Sequence, residues 1–221
     1  MNMVGSPKHV PKALAAGVDL ICAQGGEGGG HTGDIATSIL IPACVDLCRD
    51  AKSSLTGGPV HVIAAGGIFD GRSLAMALSL GAQAVWVGTR FVACKEAGAN
   101  KLHKQAVINC GPHDTMRSLI YTGRPLRIVK NEYALDWKNS RSEEMKNLLS
   151  QGKLPYKSDV EAKLKAGDEN LTKMQIKAIP HLSGQVAGVI NEILTAKEII
   201  DNMMTGAIKV LRSNVDLISR L

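Results

Sequence analysis

The sequence predicts an α/β fold in which short parallel strands alternate with helices. Three short, largely apolar runs at residues 18–23, 60–65 and 84–87 have the length of buried strands. Stretches with helical spacing separate them, and each run ends in glycine or in a glycine-rich loop. This alternation is typical of βαβ units arranged around a parallel sheet.

Helices are predicted between and after these runs. The first covers residues 7–16, because Ser6 suits an N-cap and Pro7 suits the first helical position. Gly17 ends that helix, and Gly81 ends the helix predicted over residues 73–80. Apolar residues at helical spacing predict the remaining helices, over residues 35–51, 97–110, 140–149, 159–164 and from 194 to the end.

The whole chain, residues 1–221, is predicted to form one domain. Residues 1–95 carry the βα units, and residues 96–221 are mostly helical apart from a short extended segment at 124–129. A chain of 221 residues is long enough to bury a single core. The hydrophobic content of 45 % predicts a packed interior rather than disorder.

Glycine-rich loops follow three of the predicted strands, at residues 24–33, 66–71 and 88–91. Because functional loops lie at the carboxyl ends of parallel strands, these loops are predicted to converge. Glycine lets a backbone approach a ligand closely, and exposed N–H groups form concave anion sites. The loops therefore predict a phosphate-type site, although a single Gly-Gly pair after a strand often only turns the chain. The pattern GxxxxGK[ST] is absent, which excludes a P-loop.

His31 is the candidate catalytic base, because it follows the first glycine run and a neutral imidazole can accept a proton from a carbon acid. A loop histidine taken alone is more often a surface residue. His61 and His181 lack such surroundings and are interpreted as structural. Glu27 is expected to cap N–H groups within its own loop, and Cys22 is expected in the core.

Composition excludes several other classes of function. The net charge of +6 suits a nucleic-acid partner, but the basic residues are dispersed and aromatics make up only 3 %. We therefore expect no nucleic-acid binding. Five irregularly spaced cysteines predict buried, reduced thiols. No signal-peptide core and no apolar run of membrane-spanning length are present, so a soluble, cytoplasmic protein without membrane contact is expected.

Several segments resemble the nitronate monooxygenase family, formerly called 2-nitropropane dioxygenases. Residues 23–34 (AQGGEGGGHTGD) are similar to that family's Gln-Gly-x-Glu-Ala-Gly-Gly-His-x-Gly element. Residues 62–73 (VIAAGGIFDGRS) and 81–91 (GAQAVWVGTRF) resemble its second and third elements. Residues 121–133 and 183–190 resemble later segments, so the resemblance covers nearly the whole chain.

The resemblance implies an FMN-containing TIM (β/α)8 barrel that oxidises alkyl nitronates with O₂. It gives His31 the role of the base and makes a nitronate and O₂ the small-molecule partners. The positions that match the family's FMN-binding residues are Gln24 and Gly29, at the flavin, and Gly66, Gly67, Gly88 and Thr89, with the backbone of Val87, at its phosphate. Two alternatives stay open: a flavin-dependent enoyl-thioester reductase, which shares a similar Gly-Gly-His element, and an inactive barrel fragment.

Only about four barrel strands are predicted, whereas a closed barrel of this class has eight. Residues 1–5 resemble about the fifth strand of the family. The expected fold is therefore a partial TIM (β/α)8 barrel, comprising about the last four strands, with a helical C-terminal part. An open sheet edge is expected, and such an edge could pair with another copy of the chain.

Overall fold

A four-stranded parallel sheet forms the centre of the fold, which confirms the predicted α/β class. The computed structural model describes residues 1–218, and the parallel strands lie in the order β1-β2-β4-β5. The three strands predicted from apolar runs are β2, β4 and β5. Within residues 1–218 the strands are β1 (Asn2–Val4), β2 (Leu20–Gln24), β3 (Gly30–His31), β4 (His61–Ala65), β5 (Ala84–Trp86), β6 (Thr115–Ser118) and β7 (Leu126–Val129).

Helices follow the strands and extend through the second half of the chain. A 3₁₀ turn at Pro7–His9 precedes the first α-helix, and another lies at Gln185–Val189. The α-helices are α1 (Val10–Ala15), α2 (Thr37–Cys48), α3 (Gly71–Ser79), α4 (Thr89–Val92), α5 (Lys101–Ile108), α6 (Glu132–Asn139), α7 (Ser142–Ser150), α8 (Pro155–Ala166), α9 (Leu171–Lys177) and α10 (Ala196–Ile218).

The main core lies between one face of the parallel sheet and the helices. Ile21, Val62 and Ala64 are buried there with Leu40 of α2. On the other side of α3, α10 packs so closely that a Cβ on Gly71 would lie 2.5 Å from Gly206. This backbone contact explains why a glycine begins α3.

The opposite face of the sheet is more open. Met3 is 48 % exposed and Trp86 is 50 % exposed, and both lie on the outer strands β1 and β5. Within residues 1–218, each of these two strands pairs on one side only. The sheet therefore has two free edges, whereas the sequence predicts one open edge.

A small antiparallel sheet joins the first half of the chain to the mostly helical second half, which is a correction to the sequence-based prediction. Strands β3, β7 and β6 form it in that order. The extended segment at residues 124–129 was predicted and corresponds to β7, but β6 was missed. Its sequence, TMRS, contains one large apolar residue, so its pairing depends on contacts with β7 rather than on a local pattern.

The cysteines agree with the prediction, since all five are free and buried. Burial raises the pKa of Cys22 to about 11, which makes it a core thiol rather than a nucleophile. No helix within residues 1–218 has both the length and the apolar character needed to cross a membrane. The same part of the chain contains no cluster of side chains suited to holding a metal ion.

Candidate functional site

A cavity of about 340 Å³ lies at the carboxyl ends of the parallel strands. Its size falls within the range of small-molecule pockets. One row of the sheet register, Gln24 opposite Ala65 and Ala65 opposite Trp86, contributes to its wall. The three glycine-rich loops begin at this row or within two residues of it, and all three contribute to the cavity wall, so the predicted convergence is present.

Most of the residues singled out from the sequence line this cavity. Those that do are Gln24, Gly29, His31, Gly66, Gly67, Gly88 and Thr89. Val87 does not, because its side chain packs with the main core on the other face of the sheet. Side chains alternate across a strand, so Val87 and its neighbour Trp86 face opposite sides. Among the other histidines, neither His61 nor His181 lines the cavity.

The first two glycine loops are joined through their main chains. Gly25 donates its N–H to Ala65 O at 2.9 Å, and Gly28 donates to Gly25 O at 3.0 Å. Gly66 has a φ of +82° and Gly67 a φ of +75°, a region that favours glycine. A Cβ on Gly66 would also lie 2.9 Å from Gly25 O. Both the turn and the close approach therefore require glycine at this position.

Unpaired main-chain donors surround the cavity. The N–H groups of Gly66, Gly67 and Gly88 donate to no acceptor within residues 1–218. A Cβ added to Gly88 would meet no atom within 4 Å, so the space beside it is open. The hydroxyl of Thr89 accepts a hydrogen bond from Gly184 N–H at 2.9 Å and keeps its own proton available to donate. This set of donors suits an anionic group.

Gln24 holds the main chain on both sides of Gly30. Its Nε2 donates to Gly29 O and to His31 O, each at 3.2 Å. Its Oε1 accepts no hydrogen bond from the described part of the chain, so one acceptor is left for a ligand. Gln24 therefore both orders the loop and presents a polar atom beside the cavity.

Glu27 caps a helix instead of its own loop, which corrects the sequence-based expectation. Its carboxylate accepts hydrogen bonds from the main-chain N–H of Thr37, at 3.0 and 3.1 Å, and from the Thr37 hydroxyl at 2.8 Å. Thr37 is the first residue of α2, where N–H groups lack partners within the helix. The Thr37 hydroxyl also lies 3.0 Å from Gly66 O, so the cap connects the first two glycine loops.

Two arginines of the antiparallel sheet hold the first glycine loop from outside. Arg127 donates through Nη2 and Nε to Gly26 O, at 2.9 and 3.3 Å. Burial, with a further contribution from Arg117, lowers the pKa of the Arg127 guanidinium. Arg117 in turn donates to Gly33 O at 3.0 Å and forms an ion pair with Asp34. The small sheet thus fixes the loop that carries His31.

His31 belongs to this small sheet as the last residue of β3, where it pairs with Leu126. Its side chain is exposed, and its Nε2 lies 2.9 Å from the hydroxyl oxygen of Thr122. His31 therefore lines the cavity from an element whose backbone pairs on one side.

Other lining residues were missed from the sequence. Met3 and Trp86 come from the outer strands, and Gly184 and Val186 come from a segment far along the chain. A Cβ on Gly29 would lie 2.7 Å from Gly184 N, so the two backbones pack directly against each other. The motif at residues 183–190 is the sequence signal that points to this segment.

A family model described as nitronate monooxygenase matches residues 1–206. The chain belongs to the nitronate monooxygenase family. This family and its structural neighbours are flavin-dependent oxidoreductases, which identifies the cavity as a candidate flavin site.

Several members and neighbours of the nitronate monooxygenase family are similar over most of the chain. The "Probable nitronate monooxygenase" of Staphylococcus aureus (strain MSSA476) is 30% identical, with 87% of this chain and 56% of that protein covered. The "(3aS,4S,5R,7aS)-5-hydroxy-7a-methyl-1-oxo-octahydro-1H-indene-4-carboxyl-CoA dehydrogenase" of Mycobacterium tuberculosis (strain ATCC 25618 / H37Rv) is 31% identical, with 95% of this chain and 65% of that protein covered. Among solved structures, FabK from Thermotoga maritima has a TM-score of 0.72 at 27% identity and covers 97% of this chain.

The chain spans about half to two-thirds of the length of these relatives. The covered share is 56% of the Staphylococcus protein, 65% of the Mycobacterium protein and 62% of the FabK chain. The remaining part of a nitronate monooxygenase of that length has no counterpart in the structure described here.

Proposed function

We propose that this chain acts in the oxidation of alkyl nitronates with O₂, with FMN in the 340 Å³ cavity and His31 as the base. The convergence of His31 with Gly66, Gly67 and Gly88 on one cavity is the observation that carries this proposal. These residues come from three separate loops. The glycines offer N–H groups that can donate to an anion, and His31 offers a proton acceptor.

The residues present fit the phosphate of FMN. Gly66, Gly67 and Gly88 offer main-chain N–H groups without partners in residues 1–218, and Thr89 offers a hydroxyl proton. The one carboxylate in the wall, Glu27, is engaged by Thr37. No Lys or Arg lines the described cavity, so the phosphate would be held by N–H and O–H donors.

Other residues would orient the flavin and the substrate. Gln24 Oε1 is free to accept a hydrogen bond, and Gly29 allows close approach because its backbone packs against Gly184. FMN supplies the redox chemistry when bound. The chain supplies His31, which would take the α-proton of the neutral nitroalkane and hold it on the imidazole, so that the nitronate to be oxidised forms in the site.

A thioester-directed reductase is the second candidate. The Mycobacterium relative is named as a dehydrogenase of a carboxyl-CoA compound, and it covers 95% of this chain at 31% identity. Such an enzyme would use the same flavin site, with a coenzyme A thioester as its substrate in place of a nitronate. NAD(P)H consumption that depends on an enoyl thioester, without nitronate consumption, would favour this candidate.

The direct test is reconstitution of the chain with FMN, followed by oxidation assays with a neutral nitroalkane and with its nitronate, with O₂ consumption as the readout. We expect a bound-flavin absorbance spectrum, oxidation of the nitronate, and activity with the neutral nitroalkane that falls by about 10²-fold or more in His31→Gln. His61→Gln is the matched control, because His61 lies outside the cavity. Absence of flavin binding by the chain would contradict the proposal, and equal activity of His31→Gln would remove the role of His31.

A further inference from the structure

The hydroxyl of Thr122 lies beside the proposed base. Thr122 is in the turn between β6 and β7, and its Oγ1 is 2.9 Å from His31 Nε2, across 91 residues of sequence. The two residues approach each other because β3 pairs with β7, with His31 opposite Leu126. Thr32 N–H adds a hydrogen bond to Pro125 O at 3.4 Å.

The partners of Thr122 limit the directions of its hydrogen bonds. A threonine hydroxyl has one proton and two lone pairs. The carbonyl oxygen of Arg124, 3.2 Å away, can only accept, and the main-chain N–H of Arg124, 3.4 Å away, can only donate. The Thr122 proton has two acceptors within reach, the carbonyl of Arg124 and Nε2 of His31. With the proton on the carbonyl and one lone pair accepting from the Arg124 N–H, the second lone pair accepts from the Nε2–H of His31, whereas donation of the proton to Nε2 requires the other tautomer.

We propose that Thr122 is a positioning residue that holds neutral His31 in the tautomer protonated at Nε2. This inference deepens the proposed function and rests on it for its catalytic meaning. Nδ1 is then the ring atom with a free lone pair, and no residue of the described chain donates to it. Nδ1 of His31 is the atom that accepts the substrate proton.

The arrangement remains satisfied after proton transfer. When Nδ1 of His31 takes up a proton, Nε2 keeps its own and continues to donate to Thr122. The His31 main chain does not need to move, because Gln24 holds its carbonyl at 3.2 Å. Thr122 does not line the cavity, so its effect reaches the substrate only through His31.

The test is ¹⁵N NMR of the histidine side chains in the whole chain at alkaline pH. Thr122→Val removes the hydroxyl at nearly constant shape, Thr122→Ser retains it, and His31→Gln assigns the His31 signals by their loss. We expect a protonated Nε2 and an unprotonated Nδ1 in the wild-type chain and in Thr122→Ser. In Thr122→Val we expect a mixture of tautomers. An Nδ1-protonated ring in the wild-type chain, or an unchanged tautomer in Thr122→Val, would overturn the inference.

A kinetic measurement distinguishes positioning from a general structural role. We expect kcat/KM to fall about tenfold in Thr122→Val, mainly through kcat, and to recover in Thr122→Ser. FMN affinity should stay within about twofold, because Thr122 is outside the cavity. Equal losses in Thr122→Val and Thr122→Ser would contradict positioning by the hydroxyl. Failure of the wild-type chain to bind FMN would instead overturn the proposed function, and the tautomer measurement would still decide the inference.

Discussion

The hydroxyl of Thr89 accepts a hydrogen bond from the main-chain N–H of Gly184, 2.9 Å away and 95 residues later in the chain. Both residues are at the wall of the cavity. This single contact joins the third glycine loop to the segment that packs on the first loop, so the geometry of the donors depends on it.

Replacement of Thr89 by Val should therefore affect both stability and flavin binding. The Gly184 N–H would lose its acceptor in a buried position, which costs about 1–3 kcal/mol of unfolding free energy. FMN affinity should fall as well, because the hydroxyl donor is lost. Urea denaturation and FMN titration measure the two effects. Thr89→Ser keeps the hydroxyl and should retain both properties, whereas an unchanged Thr89→Val would contradict this role.

The close approach of Gly29 to Gly184 leads to a second prediction. A Cβ on Gly29 would lie 2.7 Å from Gly184 N, so Gly29→Ala must displace backbone and should destabilise the chain by about 1–3 kcal/mol. Gly58→Ala is the control, because its nearest contact would be the Thr56 hydroxyl at an ordinary 3.5 Å. Thermal denaturation of both variants measures the difference in melting temperature. Equal melting temperatures would contradict the close approach of Gly29 to Gly184.

The Glu27 cap can be tested through the stability of the chain without FMN. Glu27→Gln removes the negative charge of the carboxylate that accepts from Thr37 N–H at the start of α2. We expect the unfolding free energy to fall by about 1 kcal/mol. Asp46→Asn is the surface control, because Asp46 pairs with Arg49 in an exposed position. Its unfolding free energy should stay within about 0.5 kcal/mol of the wild-type value. Urea titrations measure both. A loss in Asp46→Asn as large as in Glu27→Gln would contradict a specific capping effect.

Acid stability should depend on Asp159. Burial alone raises the pKa of this carboxyl, but hydrogen bonds from Arg141 and Tyr133 outweigh it and lower the pKa below 3.8. A lowered carboxyl pKa stabilises the folded state above the unfolded pKa, and that contribution is lost as the pH falls through the folded value. Asp159→Asn should therefore be less stable than wild type at neutral pH, and the difference should shrink below about pH 4.

The acid prediction has a clear measurement and a clear contrary result. Urea denaturation of both proteins at several pH values gives the difference in unfolding free energy directly. A difference that stays constant from neutral pH into the acid range would show that the Asp159 charge does not contribute. The contact is partly buried, since the Asp159 side chain is 18 % exposed in its ion pair with Arg141.

Local signals were sufficient to predict the parallel strands and most of the cavity. Apolar runs of strand length predicted β2, β4 and β5, and the glycines after them predicted the loops that meet there. Gly66 and Gly88 were predicted to lie at one site because glycine loops follow three successive strands, and both line the cavity. Val87 turns its side chain to the core, so the role implied for its backbone stays a prediction.

Contacts between distant segments could not be predicted. Gly184 reaches the cavity through a backbone approach to Gly29, and β6 forms because β7 pairs with it. Neither depends on a local pattern of apolar residues. The partner of His31 was missed for the same reason, because Thr122 approaches it only through the pairing of β3 with β7.

The central claim is that FMN binds in the cavity with its phosphate at the open space beside Gly88. FMN titration of Gly88→Val against Gly98→Val tests it most directly, because an added Cβ meets no atom within 4 Å at either position and only Gly88 lines the cavity. We predict that Gly98→Val binds FMN like the wild-type chain and that Gly88→Val binds it at least about tenfold more weakly. Equal FMN affinity in the two variants would contradict the account.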